Sequence, residues 1–195
     1  EWTPSTDVHI AAPFSPENQD GRRLCRNELL RLAGWPEDTE DLILGAVTRL
    51  AHQKGLDWIA EAVPHLRTLG ARLVILGTGD EALEEEFTRL GQLYPAVVHP
   101  LIRFDLKLSH QIYAGADAFL VPSRFEPCGL TQLYAMQYGA VPIVNPVGGL
   151  ANTVFDAPRQ SSDPAQNGFR MQSADHQGLL DAMKRASQLW KTDPV

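Results

Sequence analysis

Short, mostly apolar runs alternate with longer amphipathic stretches along most of the chain. From residue 41 onward the runs are DLILGAV, ARLVILG, AVVHPLI, DAFLVPS and AVPIVN. Strands of this kind are buried on both faces, as in a parallel sheet. The stretches between them carry apolar residues at helical spacing, as GLDWIAEAVPHLRTLG does with Leu56, Ile59, Val63 and Leu66. The repeated strand–helix unit predicts an α/β fold with a doubly wound parallel sheet, whose ligand site lies at the carboxyl ends of the strands.

Two segments flank this repeated pattern. The start of the chain, EWTPSTDVHIAAPFSPENQDG, is rich in Pro and Ser, which is typical of a linker or surface loop. We therefore expect an N-terminal segment with a leading helix over residues 1–40 and the sheet domain over residues 41–195. Towards the other end, the pattern predicts a loop over residues 156–166, a short strand GFRMQ and a closing amphipathic helix, DHQGLLDAMKRASQLW. A chain that begins in a linker is expected to lack what came before it.

Charge and composition narrow the classes of function. The net charge of −7 argues against nucleic acid or an anionic membrane as a partner, although a small phosphate ligand needs only a few local cations. No apolar run approaches the roughly 18 residues that a membrane span needs. The six histidines show no metal-ligand spacing, and Cys25 and Cys128 are too few for a disulfide framework. We expect no metal site and a reducing, cytoplasmic setting.

Two cations follow the first predicted strand. They are Arg49 and Lys54, in the stretch TRLAHQKGLD over residues 48–57. Cations in such a loop can neutralise a phosphate or diphosphate, helped by the N–H groups of the next helix. Two solvated surface cations are an equally good interpretation of this stretch taken alone.

Two glycine-rich turns also follow predicted strands. In LGTGDEA, Gly77, Gly79 and Ala82 imitate a dinucleotide-binding fingerprint. That fingerprint belongs after the first strand and is followed about 20 residues later by an acid, where this chain has His99. We therefore expect no nicotinamide cofactor, although the turn could let a ligand approach the backbone. PVGGL, residues 146–150, offers a second flexible turn, which a purely structural role explains equally well.

The segment SRFEPCGLTQLYAM, residues 123–136, places Glu126 between a predicted strand and a predicted helix. α/β proteins put their chemistry in such turns. Glu126 could instead be an acid favoured by the helix dipole. However, Pro127 fixes the turn and Gly129 allows close approach of the backbone, which is more than a cap requires. Cys128 could be a nucleophile, but no histidine lies nearby in sequence, and small buried cysteines are common.

Together, TRLAHQKGLD, LGTGD, PSRFEPCGLTQLYAM and VGGLANTV resemble the C-terminal domain of the starch and glycogen synthases, a family of retaining glucosyltransferases. The resemblance runs from EWTPSTD almost to the last helix, with the motifs in the same order. It implies a Rossmann-like domain, one of two that face each other across the cleft of a GT-B glycosyltransferase. The N-terminal acceptor domain of that pair is absent from this sequence, so the chain alone is expected to be inactive.

The resemblance assigns catalytic roles to three charged residues. Arg49 and Lys54 match the pair that holds the diphosphate of the nucleotide-sugar donor and stabilises it as the leaving group. Glu126 matches the acid that engages the donor glucose.

Five further residues match donor-binding positions of the family. Cys128 and Gly129 are expected to line the same pocket as the glutamate. Leu130 and Thr131 open the helix whose backbone N–H groups are expected to meet the distal phosphate. Phe104 falls where the family commonly has an aromatic residue, often tyrosine, that stacks on the adenine.

The function implied by the resemblance is transfer of glucose from ADP-glucose to the non-reducing end of an α-1,4-glucan, with retention. This chain is then the donor-binding half of a glycogen or starch synthase. Its expected partners are ADP-glucose or ADP, the glucan itself and the absent N-terminal domain. The expected location is the cytoplasm, or the plastid in a plant.

Two alternatives stay open. One is another retaining GT-B glycosyltransferase of the sucrose or mannosyl type, which usually has a second glutamate eight positions after the first, where this chain has Tyr134. The other is a non-catalytic module that binds a nucleotide or a glucan. The chain also departs from many bacterial synthases at Asn145 and Pro146, where those have two cations.

Overall fold

The computed structural model describes residues 2–156 and 166–192. These residues form a six-stranded sheet in which all paired strands are parallel. The strands are β1 (Leu42–Val47), β2 (Ala71–Gly77), β3 (Val98–Ile102), β4 (Ala118–Val121), β5 (Val141–Val144) and β6 (Phe169–Arg170). Their order in space is β3-β2-β1-β4-β5-β6, so the chain winds outward from β1 to β3 and then returns to place β4 beside β1. The predicted doubly wound sheet is confirmed.

Helices flank the sheet throughout the described part of the chain. They are α1 (Asp20–Ala33), α2 (Leu56–Ala62), α3 (Leu66–Leu69), α4 (Glu81–Leu93), α5 (Leu106–Gly115), α6 (Thr131–Gln137), α7 (Gly148–Thr153) and α8 (His176–Thr192). The stretch GLDWIAEAVPHLRTLG was expected to form one helix, but a 3-10 turn, Val63–His65, separates α2 from α3. Pro64 explains this division, because it has no N–H to donate to the helical ladder.

Strand side chains alternate between two apolar layers. In β1, Ile43 packs in the layer that contains α1 and α5, whereas Leu44 packs in the layer that contains α2 and α4. In β2, Val74 and Leu73 alternate in the same way. These four side chains are fully buried, which is why the strand sequences lack a polar face.

The N-terminal segment is held against α5 and α6. The indole of Trp2 stacks on the imidazole of His110, with ring centroids 3.8 Å apart, and on the ring of Tyr134 at 4.7 Å. The Tyr138 hydroxyl donates a hydrogen bond of 2.5 Å to Asp7 Oδ2, which also lies 2.6 Å from His110 Nδ1. Asp7 can be buried because these partners satisfy its carboxylate. The described part of this segment has no helix or strand before α1, as expected of a surface loop, but these contacts dock it against the domain.

The two ends of the described chain close the fold. The leading helix, α1, packs against α5 and buries Leu29 and Leu30 in the same layer as Ile43. The division of the chain at residue 40 stays a prediction. The predicted strand GFRMQ contains β6, and the predicted closing helix is α8. Apart from its two end residues, the predicted loop over 156–166 lies outside the described residues.

Candidate active site

The candidate site lies at the carboxyl ends of β1 and β4, where the strand order reverses. The Lys54 loop, residues 48–55, follows β1, and the Glu126 loop, residues 122–130, follows β4. Because β1 and β4 pair directly, the two loops leave the sheet side by side. Open α/β sheets bind their ligands in the crevice that forms at such a reversal.

An ion pair joins the two loops. Lys54 Nζ lies 2.6 Å from Glu126 Oε2, and Ser123 Oγ donates a hydrogen bond of 3.1 Å to the same oxygen. The Lys54 and Glu126 side chains are 24% and 15% exposed, so a ligand can reach both. Within the described residues Glu126 Oε1 accepts no hydrogen bond, and the ammonium group makes this one contact although it has three N–H groups. The pair therefore keeps the capacity to bind a ligand.

A cavity of about 440 Å³ opens at the carboxyl ends of β1 and β2. Three of the predicted site residues line it, Arg49, Phe104 and Thr131, together with Trp2 and Tyr134. Arg49 is exposed, and its side chain makes no hydrogen bond or ion pair with any residue that the structure describes. The cavity thus combines aromatic walls with a cation that is available to an anion.

Phe104 reaches the cavity from the turn between β3 and α5. The side chain of Asp105 caps α5 by accepting a hydrogen bond of 3.0 Å from the N–H of Leu108, so the helix begins directly after Phe104. Phe104 is 88% exposed, which leaves its ring free to contact a ligand. Tyr113 of α5 also lines the cavity, and burial raises the pKa of its hydroxyl well above the ordinary value, so this group is neutral.

The remaining predicted residues lie in the Glu126 loop, ahead of α6. Cys128 and Leu130 are exposed, and Gly129 has a left-handed backbone with a φ of 67°. The side-chain amide of Gln132 donates a hydrogen bond of 2.8 Å to Gly129 O. Among the described residues, Arg49 lines the cavity, but these three predicted residues do not, and neither do Lys54 and Glu126. Their contact with a donor stays a prediction.

The glycine pair after β5 braces the Glu126 loop. The N–H of Gly149 donates a hydrogen bond of 2.9 Å to Glu126 O. Gly148 has a φ of 48°, and a Cβ at this position would lie 2.1 Å from the same oxygen, so only glycine fits. Asn145, which departs from the pattern that the resemblance leads one to expect, supports the same loop. It is 4% exposed, and its amide donates a hydrogen bond of 3.0 Å to Ser123 O.

The glycine turn after β2 contacts the Lys54 loop. A Cβ at Gly77 would lie 1.9 Å from Thr48 O, and one at Gly79 would lie 2.0 Å from Leu50 O. The N–H of Leu50 donates a hydrogen bond of 2.9 Å to Thr78 O. The close approach of two loops therefore explains these glycines without a bound cofactor.

Metal-binding and membrane-spanning features are absent from residues 2–156 and 166–192. No three His, Cys, Asp or Glu side chains in this part of the chain are grouped so that they could hold a metal ion. None of its helices is both long enough and apolar enough to cross a membrane.

Comparison with known proteins decides the family. A sequence profile described as "Glycosyl transferases group 1" matches residues 41–188, which is most of the chain. The chain belongs to the group 1 glycosyl transferases. The matched range contains both loops of the candidate site.

Two similar proteins are curated as glycogen synthases. The protein of Paracidovorax citrulli is 43% identical over 195 residues, and the match covers 99% of this group 1 glycosyl transferase and 38% of the relative. The protein of Anaeromyxobacter dehalogenans is 44% identical over 190 residues, with coverages of 97% and 39%. The chain thus spans about two fifths of the length of these relatives. These matches confirm the resemblance to glycogen synthases that the motifs indicated.

A solved structure agrees with the fold of this glycosyl transferase. It is the catalytic domain of starch synthase IV from Arabidopsis thaliana, bound to ADP and acarbose. The two chains superpose with a TM-score of 0.91 at 37% identity, and the match covers 99% of this chain and 40% of the other. The predicted Rossmann-like fold of a GT-B domain is confirmed.

Sequence reasoning missed four residues at the site of this glycosyl transferase. Ser123 and Arg124 stood inside the quoted motif, but only the folded turn shows which partners their side chains reach. Arg124 pairs with Asp57, 67 residues away. Burial raises the pKa of Asp57, but the hydrogen bonds and charge of Arg124 outweigh burial, and the pKa lies below its ordinary value. The only sequence signal for Trp2 was a large aromatic residue in a segment otherwise rich in Pro and Ser.

Proposed function

We propose that this chain is the donor-binding half of a glycogen or starch synthase. The complete enzyme transfers glucose from ADP-glucose to the non-reducing end of an α-1,4-glucan with retention, and a second domain binds the acceptor. The observation that carries the proposal is the Lys54–Glu126 pair, which is partly exposed at the reversal point of the sheet and whose lysine shares a loop with Arg49 of the cavity. The names of the glycogen synthase relatives and the ADP and acarbose bound to starch synthase IV support the choice of substrates.

Arg49 and Lys54 would hold the diphosphate of the donor. Arg49 has an uncommitted guanidinium among the described residues, and the Lys54 ammonium has N–H groups to spare. When the bond to glucose breaks, negative charge develops on the departing diphosphate. Cations already in position stabilise that charge more than they stabilise the bound donor, and this difference lowers the barrier.

Glu126 would act on the sugar. Its Oε1, which accepts no hydrogen bond from the described residues, can accept one from a glucose hydroxyl while Oε2 remains with Lys54. The carboxylate also stabilises positive charge at the anomeric carbon in the transition state. Glycosidases pair two carboxyl groups, whereas Asp57, a carboxylate near the same loops, is held by Arg124.

The cavity that Arg49 lines would take the nucleoside. Its volume of about 440 Å³ is within the usual range of small-ligand sites. Phe104 and Tyr134 offer aromatic faces to a planar base, and Thr131 offers a hydroxyl. The proposal sets the reaction in the cytoplasm, as expected from the low cysteine content.

The test is a titration of the protein with ADP, ADP-glucose, UDP-glucose and maltooligosaccharides, followed by assays of glucose transfer in the complete two-domain enzyme. We expect ADP and ADP-glucose to bind more tightly than UDP-glucose, and the enzyme to lengthen the glucan. Preference for another sugar nucleotide would favour a different retaining glycosyltransferase. Binding without transfer by the complete protein would favour a non-catalytic module.

A matched pair of variants checks the placement of the diphosphate. Arg49→Ala should weaken ADP binding about tenfold, the scale of one charge-assisted hydrogen bond. Arg67→Ala removes an exposed arginine on α3 and should leave ADP binding unchanged. Equal ADP affinity for both variants would contradict the proposed role of Arg49.

A further inference from the structure

One side chain of the Glu126 loop reaches across to the turn that carries Lys54. The guanidinium of Arg124 donates two parallel hydrogen bonds to the carboxylate of Asp57, each of 2.7 Å. Its Nη1 also donates a hydrogen bond of 2.7 Å to His52 O. His52 begins the 3-10 turn that ends at Lys54, and Asp57 follows in the first turn of α2. Arg124 therefore holds the turn on both sides of Lys54.

The same residue is fixed to the core and to the backbone of the other loop. Its guanidinium carbon lies 3.8 Å from the ring centroid of Trp58, which is 7% exposed and belongs to the apolar layer under α2. The backbone N–H of Arg124 donates a hydrogen bond of 2.8 Å to Gln53 O. The amide of Gln53 returns a hydrogen bond of 3.1 Å to Phe125 O. These contacts fix the two loops relative to each other and to the buried side chain of Trp58.

Such a clamp matters because neither member of the ion pair lies in an α-helix or a β-strand. Lys54 lies in a 3-10 turn and Glu126 in a loop without regular structure, yet their side chains meet at 2.6 Å. Reaction rates depend strongly on the placement of catalytic groups, and a shift of about 1 Å can cost about a hundredfold. A planar guanidinium can bind a carboxylate through two bonds and stack on an indole, whereas an ammonium can do neither in the same way.

We propose that Arg124 is a positioning residue of the transferase, which clamps the Lys54 loop to the Glu126 loop and so fixes the distance between the two catalytic side chains. Because its guanidinium is committed to Asp57, His52 and Trp58, Arg124 acts through Lys54 and not on the donor. The effect on the reaction rests on the proposed function, but the effect on the loops does not.

The first test compares Arg124→Lys with Arg89→Lys in the complete enzyme. Arg89 forms the same two-bond contact with Glu86 on the exposed side of α4, so it is a matched control away from the site. For Arg124→Lys we expect kcat to fall at least about tenfold, while the KM for the donor changes less than about threefold. Arg89→Lys should change neither. Asp57→Asn, which breaks the same contact from the opposite side, should reproduce the fall in kcat.

A double-mutant cycle separates positioning from general stability. If Arg124 acts through Lys54, then Arg124→Lys should cost little further activity in an enzyme that already carries Lys54→Ala. If Arg124 instead has an unrelated structural role, the loss of activity in the double variant should equal the product of the losses in the two single variants. Multiplied losses, or an unchanged kcat for Arg124→Lys, would overturn the proposal.

Amide hydrogen exchange of the ligand-free protein tests the clamp without any reaction. Exchange in residues 52–55 and 122–126 should become at least about fivefold faster in Arg124→Lys and stay unchanged in Arg89→Lys, with similar melting temperatures. Unchanged exchange in both segments would overturn the proposal. If the complete wild-type enzyme transfers glucose from no sugar nucleotide, the proposed function fails, and the exchange rates alone decide whether Arg124 clamps the loops.

Discussion

Two ion clusters lie at opposite ends of β4. At the amino end, Asp117 has a side chain that is 1% exposed, with Arg22 and Arg26 beside it at 3.9 and 3.2 Å. The N–H of Ile43 donates a hydrogen bond of 2.8 Å to the same carboxylate. The two guanidinium groups also donate hydrogen bonds to the backbone carbonyls of Ala116, Tyr138, Gly139, Thr39 and Asp41.

At the carboxyl end, the Lys54–Glu126 pair has the same kinds of charge but is not saturated. It is partly exposed, and one carboxylate oxygen and part of the ammonium group have no partner among the described residues. The comparison teaches that charge alone does not mark a functional site. A buried cluster in which both carboxylate oxygens have partners holds the fold together, whereas a partly exposed cluster with capacity left over can take a ligand.

The largest expected effect is a loss of stability when the ion cluster at the amino end of β4 is broken. Asp117→Ala leaves the buried Arg22 and the partly buried Arg26 without their carboxylate, and we expect the free energy of unfolding to fall by about 3–5 kcal/mol. Asp41→Ala breaks the more exposed pair with Arg72 and should cost about 1 kcal/mol or less. Urea unfolding of both variants is the measurement. Similar losses would mean that burial of the Asp117 cluster carries no special weight.

At the carboxyl end the largest effect should be on catalysis. Lys54→Ala in the complete enzyme should lower turnover about 100- to 1,000-fold, because a preorganised charge is removed from the developing anion. Its melting temperature should stay close to that of the wild type. Lys107→Ala, which removes an exposed lysine of α5, is the control. If turnover stays within a few-fold of wild type, Lys54 is only a surface cation, and the two ends of β4 do not differ in function as described.

Glu126→Gln tests the other half of the same pair. Gln keeps a hydrogen-bond acceptor but supplies no negative charge, so the rate at saturating donor should fall at least about a hundredfold. ADP affinity and the melting temperature should change little. Glu126 precedes Leu130, the N-cap residue of α6, and so does not cap that helix. A lower melting temperature with unchanged kinetics would show that the glutamate is structural.

The smallest effect concerns acid stability at Asp57, whose side chain is 32% exposed and so more exposed than Asp117 or Glu126. Its carboxyl pKa is raised by burial, but Arg124 outweighs burial and leaves the pKa below the ordinary value of 3.8. The stabilisation is therefore fully present above about pH 4 and is lost as the pH falls through the lower, folded-state pKa. Urea unfolding between pH 7 and pH 3 should show a shallower acid loss for Asp57→Asn than for wild type. Parallel curves would argue against a stabilising charge at Asp57.

The sequence predicts the sheet well because a strand that is buried on both faces appears as an uninterrupted apolar run. Ile43 and Leu44 face opposite layers, so no polar residue interrupts their strand. The sequence also placed Lys54 and Glu126 in loops that follow strands, but their catalytic roles stay predictions. The contact of Arg124 was not predictable, because its partner Asp57 lies 67 residues away. Contacts of this kind depend on how two loops leave the sheet, and no local pattern records that.

The contacts of the N-terminal segment have a consequence for how the domain is made. Asp7 is synthesised 131 residues before Tyr138, with which it forms its hydrogen bond. Trp2 likewise leaves the ribosome long before Tyr134, against which it stacks at the wall of the cavity. The segment can therefore complete its contacts only after the first four strands have emerged. The cavity gains this wall only after α6 has been translated, so the cavity is completed late in the synthesis of the domain.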